Sequence, residues 1–197
     1  MRIALTGGIA CGKSLLSRFL NELGVETLDA DDVVHELLPD PEERRRLAAE
    51  VFADPAKRRA LEAKLHPLVK ARIDAWRAAS RPSPVASRPL LVARRKSQVV
   101  NLQPPRIAII PLLFEVHWEK NFDIICCVVS SREKQIERMT ATRGMTLAEA
   151  EARLAAQMPV EEKARLSHYV IRNDGTPGDL KAKAAKFVEW LSRRTAE

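Results

Sequence analysis

Three cysteines in 197 residues, Cys11, Cys126 and Cys127, are too few for a disulfide framework. None stands in a Cys-x-x-Cys spacing, so a thiolate metal site is excluded as well, and reduced thiols are expected. No apolar run approaches the roughly 20 residues of a membrane span. The apolar stretch after Met1 is too short for a secretory signal, so a cytoplasmic protein with no membrane partner is expected. There is no internal repeat. Acidic residues are absent between Ser80 and Arg106, where six basic ones lie (Arg81, Arg88, Arg94, Arg95, Lys96 and Arg106). The formal net charge of +7 therefore comes mainly from one stretch, which also holds five of the twelve prolines. A basic surface loop on a nearly balanced body is expected, and nucleic acid is not the expected partner.

What is present is an alternation of short apolar strands with amphipathic helices. Arg2 to Thr6 reads as a strand, Lys13 to Leu23 as a helix with Leu15, Leu16, Phe19, Leu20 and Leu23 on one stripe, and Val25 to Leu28 as a second strand. The chain is helical in character from Asp40 to Trp76, with breaks expected at Pro55 and Pro67. Apolar runs at Ile107–Phe114 and Phe122–Val129 suit parallel strands covered on both faces. Ser130 with Glu133 and Thr146 with Glu149 predict capped helices, His168 to Arg172 a last strand, and the stretch after Pro177 a C-terminal helix. The pattern predicts an α/β protein: a five-stranded parallel sheet with helices on both sides.

Gly7-Gly8-Ile9-Ala10-Cys11-Gly12-Lys13-Ser14 fits G-x-x-x-x-G-K-[ST] between the first strand and the first helix. Glycine backbones let successive amides turn inward, and with the helix N-terminus they make a nest for nucleotide phosphates. The expected nucleotide-binding residues are Gly8, Ala10, Cys11, Gly12, Lys13, Ser14 and Leu15, with Lys13 reaching the β- and γ-phosphates and the Ser14 hydroxyl on Mg²⁺. A thiol near a helix N-terminus can be activated, although a small packing residue is the plainer reading of Cys11. No asparagine is followed by lysine, so a guanine-reading Asn-Lys-x-Asp segment is missing, and the strand Ile107–Ile110 runs into Pro111 without an aspartate. GTPases and motor ATPases recede, leaving a small-molecule kinase that uses MgATP.

Together the motifs resemble the dephospho-CoA kinase family. The resemblance rests on Leu5-Thr6-Gly7-Gly8-Ile9 with Gly12-Lys13-Ser14, on Asp29-Ala30-Asp31, Leu65-His66-Pro67 and Pro111-Leu112-Leu113-Phe114-Glu115, and on Gln157 with Val170-Ile171-Arg172-Asn173. It implies a P-loop three-layer α/β/α fold with one kinase domain: core 1–31, 107–130 and 166–197, a helical acceptor region 32–80, an insertion 81–106 and a lid 131–165. It implies transfer from MgATP to the ribose 3′-hydroxyl of dephospho-CoA. A carboxylate must orient that hydroxyl and take its proton, and the resemblance gives this role to Asp31. It implies Asp29, His66, Leu112 and Glu115 as substrate contacts, and arginines of the lid, Arg138 first and Arg143 second, on the phosphates. The sequence departs from the family at Ala10, Cys11 and Leu15, where Gly, Ser and Thr are usual, and its interval from Asp31 to His66 is short. Two alternatives stay open: a nucleoside or nucleotide kinase with another acceptor, and a nucleotide-binding homologue without turnover. No motif speaks to oligomeric state.

Overall fold

A computed structural model of the chain describes residues 1–79 and 105–194, so the expected basic loop falls almost wholly outside the described residues. Two compact units divide the chain: Met1–Thr27 with Val85–Glu197, and Leu28–Pro84.

The first unit is organised by strands that alternate two buried faces. β1 (Ile3–Gly7) is buried at every position and lies at the centre of the sheet. β2 (Glu26–Asp29), β3 (Arg106–Ile109), β4 (Ile124–Val129) and β5 (Tyr169–Arg172) complete the order β2-β3-β1-β4-β5. β1 pairs in parallel with β3 (Ile3 opposite Ile107) and with β4 (Leu5 opposite Cys126), and β4 pairs in parallel with β5. Ile3, Leu5, Ile107, Ile109, Ile124, Cys126 and Val128 enter one core cluster with Leu16, Phe19 and Leu20 of α1 (Lys13–Glu22). Leu180, Ala184, Phe187, Val188 and Leu191 of the C-terminal helix, Pro177–Arg194, join the same cluster. The alternate strand residues Ala4, Thr6, Ala108, Ile125, Cys127 and Val129 are buried too. Both faces are therefore covered, the three-layer arrangement that continuous apolar strands require. Each large aliphatic side chain so buried stabilises the unit by roughly 1.5–3 kcal/mol relative to exposure.

Within the second unit, Asp29 caps α2 (Ala30–Leu37), its Oδ1 accepting the Asp31 amide at 3.0 Å. Two helices follow, α3 (Pro41–Ala53) and α4 (Pro55–Ala78). Among its described residues α4 buries Val69 and Ile73, and its Arg72 pairs with Glu36 of α2 at 3.2 Å. The break expected at Pro67 is absent, because α4 runs through it. Pro67 and Ala63, whose carbonyl loses its intrahelical donor, are both exposed positions of the helix.

The expected lid residues 131–165 form α5 (Arg132–Arg143), α6 (Leu147–Ala155) and α7 (Val160–Arg165); the C-terminal helix is α8. The cap of α5 is Ser131, whose Oγ accepts the Lys134 amide at 3.3 Å, and not Ser130, which is buried and donates to the Asn173 carbonyl at 2.7 Å. Thr146 with Glu149 forms the predicted capping box. Thr176 and Asp179 do the same for α8, the Asp179 carboxylate accepting the Thr176 amide and hydroxyl, each at 2.8 Å. Among the described residues no helix is long and apolar enough to cross a membrane.

Hydrogen bonds from Thr176 hold the Asp179 carboxyl below its ordinary range, as those from Thr146 hold Glu149. A depressed carboxyl contributes stability that is complete above its unfolded pKa, about 4, and is lost as pH falls through the folded value. Asp179→Asn is expected to lower Tm at pH 7, with the gap to wild type shrinking below about pH 4 in thermal melts across pH.

Candidate active site

Peptide orientation builds this site. Lys13 Nζ donates to the carbonyls of Gly7 and Gly8 at 3.0 and 2.9 Å. Gln135 Nε2 donates to Ile9 O at 2.7 Å, Arg138 Nη1 to Ala10 O at 3.1 Å, Asn173 Nδ2 to Cys11 O at 2.9 Å and the Leu16 amide to Gly12 O at 2.9 Å. Every carbonyl from Gly7 to Gly12 is thus tied to the protein. A trans peptide points its N–H opposite to its C=O, so the loop amides turn toward the concave side. Among the described residues, the amides of Ala10, Gly12, Ser14 and Leu15 donate to no group of the chain. The Ile9 amide is spoken for, donating to Gln157 Oε1 at 3.2 Å. The Ala10 and Gly12 amides lie opposite the tied carbonyls of Ile9 and Cys11, and those of Ser14 and Leu15 belong to the open first turn of α1, so the four together have the makings of an anion-binding nest.

Two glycines make the turn possible. Gly7 has φ 147°, and a Cβ there would sit 2.2 Å from the Val128 carbonyl oxygen. Gly12 has φ 94°, with the Asn173 amide nitrogen 2.3 Å from where its Cβ would be. Ala10 occupies the left-handed region at φ 55° without being glycine, a strain of roughly 1–2 kcal/mol. The position where the family resemblance expects Gly is one that Gly would occupy at ease.

The loop side chains divide by exposure. Ser14 is exposed on the first turn of α1, its hydroxyl a hard oxygen donor of the kind Mg²⁺ accepts beside phosphates and water. Among the described residues no three His, Cys, Asp or Glu side chains cluster to hold a metal, so a divalent ion would draw most of its ligands from nucleotide and water. Leu15 packs its side chain against the core, leaving only its backbone for a ligand. Cys11 is buried and burial pushes its thiol up, so the activated-thiol reading fails: desolvation outweighs the nearby Lys13 charge. Cys127, behind the loop, is pushed up to about 12 for the same reason.

Arg138 reaches this loop from its carbonyl side. Besides Ala10 O, its guanidinium donates to Ser130 Oγ at 2.9 Å and Asn173 O at 2.7 Å, so it braces the loop and β5 together. Arg143 is exposed in the last turn of α5. After β3 the chain turns at Pro111, burying Leu113 and Phe114 and exposing Leu112. The Glu115 carboxylate is engaged internally: its Oε1 lies 2.7 Å from Lys163 Nζ and accepts the Met158 amide at 3.2 Å, while Oε2 is enclosed. Lys163, wholly buried, and Gln135 were not singled out by sequence reasoning, since a lysine in Glu-Glu-Lys and a glutamine in a polar helix carry no local signal. Asp29, Asp31 and His66 lie in the second unit: Asp29 as the cap of α2, Asp31 exposed on its first turn, His66 half-buried midway along α4.

The family model for dephospho-CoA kinase matches residues 1–43 and 86–179, more than half of the chain. The chain belongs to the dephospho-CoA kinase family. A dephospho-CoA kinase of Synechococcus sp. (strain JA-3-3Ab) is 38% identical over 94% of this chain and 90% of its own length. A solved protein of Thermus thermophilus is similar at 30% identity and TM-score 0.73, over 96% of this chain and 97% of its own. Shikimate kinase of Bacteroides thetaiotaomicron shares the fold at 14% identity and TM-score 0.59, over 98% of each chain. The architecture therefore serves kinases of more than one acceptor, and it is the family match that favours this acceptor over the alternatives. That match leaves out residues 44–85 and with them His66.

Two substitutions test the loop in opposite directions. Gly12→Ala forces a clash and a strained backbone, and is expected to weaken MgATP binding at least about tenfold in calorimetry, the equivalent of about 1.4 kcal/mol. Ala10→Gly relieves strain and is expected to raise the unfolding free energy by about 0.5–1 kcal/mol, once the extra freedom of the unfolded glycine is deducted, and so to raise Tm in thermal melts.

Proposed function

We propose that this protein transfers the γ-phosphoryl group of ATP to the ribose 3′-hydroxyl of dephospho-CoA, giving coenzyme A and ADP. The observation that carries the reading is the loop whose carbonyls from Gly7 to Gly12 are all tied to the protein, in a chain of this family. The amides of Ala10, Gly12, Ser14 and Leu15 and the Gly8 and Cys11 backbone cradle the phosphates. Lys13 exchanges its carbonyl partners for the β- and γ-phosphate oxygens, and the Ser14 hydroxyl holds Mg²⁺, which neutralises charge on the transferring group.

Asp31 orients the acceptor hydroxyl and takes its proton as the oxygen bonds to phosphorus and the bond to ADP breaks. Its place on the first turn of α2, exposed while Asp29 supplies the cap, keeps its carboxylate available. Leu112 gives the acceptor an apolar contact at the C-terminal end of β3, where parallel sheets bind ligands. Glu115 contributes by anchoring that segment, and His66 is assigned to the acceptor side by resemblance alone. Arg143 on the lid reaches the phosphates, while Arg138 supports them from behind by holding Ala10. A cytoplasmic location suits a soluble metabolic enzyme of this family.

One assay tests the reading: purified protein, MgATP and dephospho-CoA, with coenzyme A measured as product. Wild type should form it. Lys13→Ala should lower kcat by at least about 100-fold, as the loss of a group stabilising transition-state charge does. Asp31→Asn should lower kcat about 100- to 10,000-fold, the range of general-base loss. Wild type without product, or Lys13→Ala at full rate, would overturn it.

A further inference from the structure

Lys163 is wholly buried on a helix of six residues, and no step of the proposed reaction uses it. Its ammonium donates to the Pro111 carbonyl at 2.9 Å and pairs with Glu115 Oε1 at 2.7 Å. The same Pro111 carbonyl accepts the Thr6 hydroxyl at 3.3 Å, and Thr6 is the residue before the phosphate loop begins. Met158 donates its amide to Glu115 Oε1, and its neighbour Gln157 accepts the Ile9 amide of the loop. Residues 157–163 therefore hold the tip of the phosphate loop at one end and both ends of the Pro111–Glu115 segment at the other.

A charge pair in such a place is not explained by stability. Apolar side chains of the same volume usually replace a buried ion pair at no cost or with gain. What an ammonium offers beyond volume is direction: it fixes a carbonyl and a carboxylate at set distances. Pro111 and Glu115 bracket Leu112, Leu113 and Phe114, and of those three only Leu112 is exposed. With both brackets held, Leu112 has one place to stand.

We propose that Lys163 is a positioning residue for the acceptor: by holding Pro111 and Glu115 it fixes the segment after β3 in register with β1 and so sets acceptor affinity. This rests on the reading of that segment as part of the acceptor site.

Kinetics and melts of Lys163→Met, Lys163→Met/Glu115→Met and Glu115→Gln test the proposal, with KM for each substrate and Kd for dephospho-CoA by calorimetry. Lys163→Met is expected to raise the acceptor KM at least about tenfold and to move the ATP KM less than about twofold, with a lower Tm from the unpaired carboxylate. The double variant removes that buried charge, so Tm recovers, yet the acceptor KM stays raised because Pro111 O keeps only the Thr6 hydroxyl and the Met158 amide lacks its acceptor. Glu115→Gln keeps an oxygen for both donors and raises the acceptor KM less than Lys163→Met does. Recovery of Tm and acceptor KM together in the double variant would reduce the pair to a structural one. An equal rise of both KM values in Lys163→Met, or a larger effect from Glu115→Gln, would also overturn the proposal. A wild type that binds dephospho-CoA without converting it sinks the functional reading alone, and the order of the Kd values then decides this one.

Discussion

Everything in the nucleotide site depends on where six backbone carbonyls point. Beyond Gly7, the last residue of β1, the loop to Gly12 has no regular secondary structure to orient its peptides, so each carbonyl from Gly7 to Gly12 is held by a donor from α1, α5 or Asn173. Those donors come from α1, α5 and the residue after β5, which explains why the loop needs an assembled domain around it. A free peptide of the same sequence would hydrate these carbonyls and leave its amides in no fixed direction. The nest is thus a product of tertiary hydrogen bonding, and the helix N-terminus adds its field to amides already aligned.

The sheet supplies the rigidity that this requires. β1 and β4 are buried at every position, so neither can slide without moving the core on both faces. The Val128 carbonyl presses against Gly7, and Asn173, just beyond β5, fills the space beside Gly12. Close approach between strand ends and loop leaves room for hydrogen only, which couples the two glycines to the packing of strands far from them in sequence. Arg138 and Asn173 then link β4, β5 and the loop in one network of neutral acceptors and directed donors.

Much of this was legible from residue order. Strands with continuous apolar runs, the stripe on α1, the inward face of α8 and the Thr146–Glu149 box all follow from period and capping rules, and the structure shows each of them. Errors came where a local rule met a longer-range partner. Ser130 has the right spacing to a glutamate for a cap, but Asn173 claims its hydroxyl and Ser131 caps instead. Pro67 has the chemistry of a helix breaker, yet one lost donor on an exposed face does not outweigh the packing of Val69 and Ile73. Arg138 is a different case: its expected place near the phosphates stands beside a bracing role, three hydrogen bonds to the chain itself, that no local spacing signals.

By itself the sequence determined the α/β class, the phosphate loop and the family, because these are written in contiguous patterns: strand, glycine turn, helix, and short motifs in a set order. Only the tertiary structure decided which side chains stand behind that loop and how the segment after β3 is anchored. Gln135, Asn173 and Lys163 acquire their roles from acceptors as many as 162 positions away in the chain, as the Asn173 contact with Cys11 does. No local spacing encodes such a pairing. It follows from burial, which obliges each enclosed polar group to find a partner wherever the fold brings one.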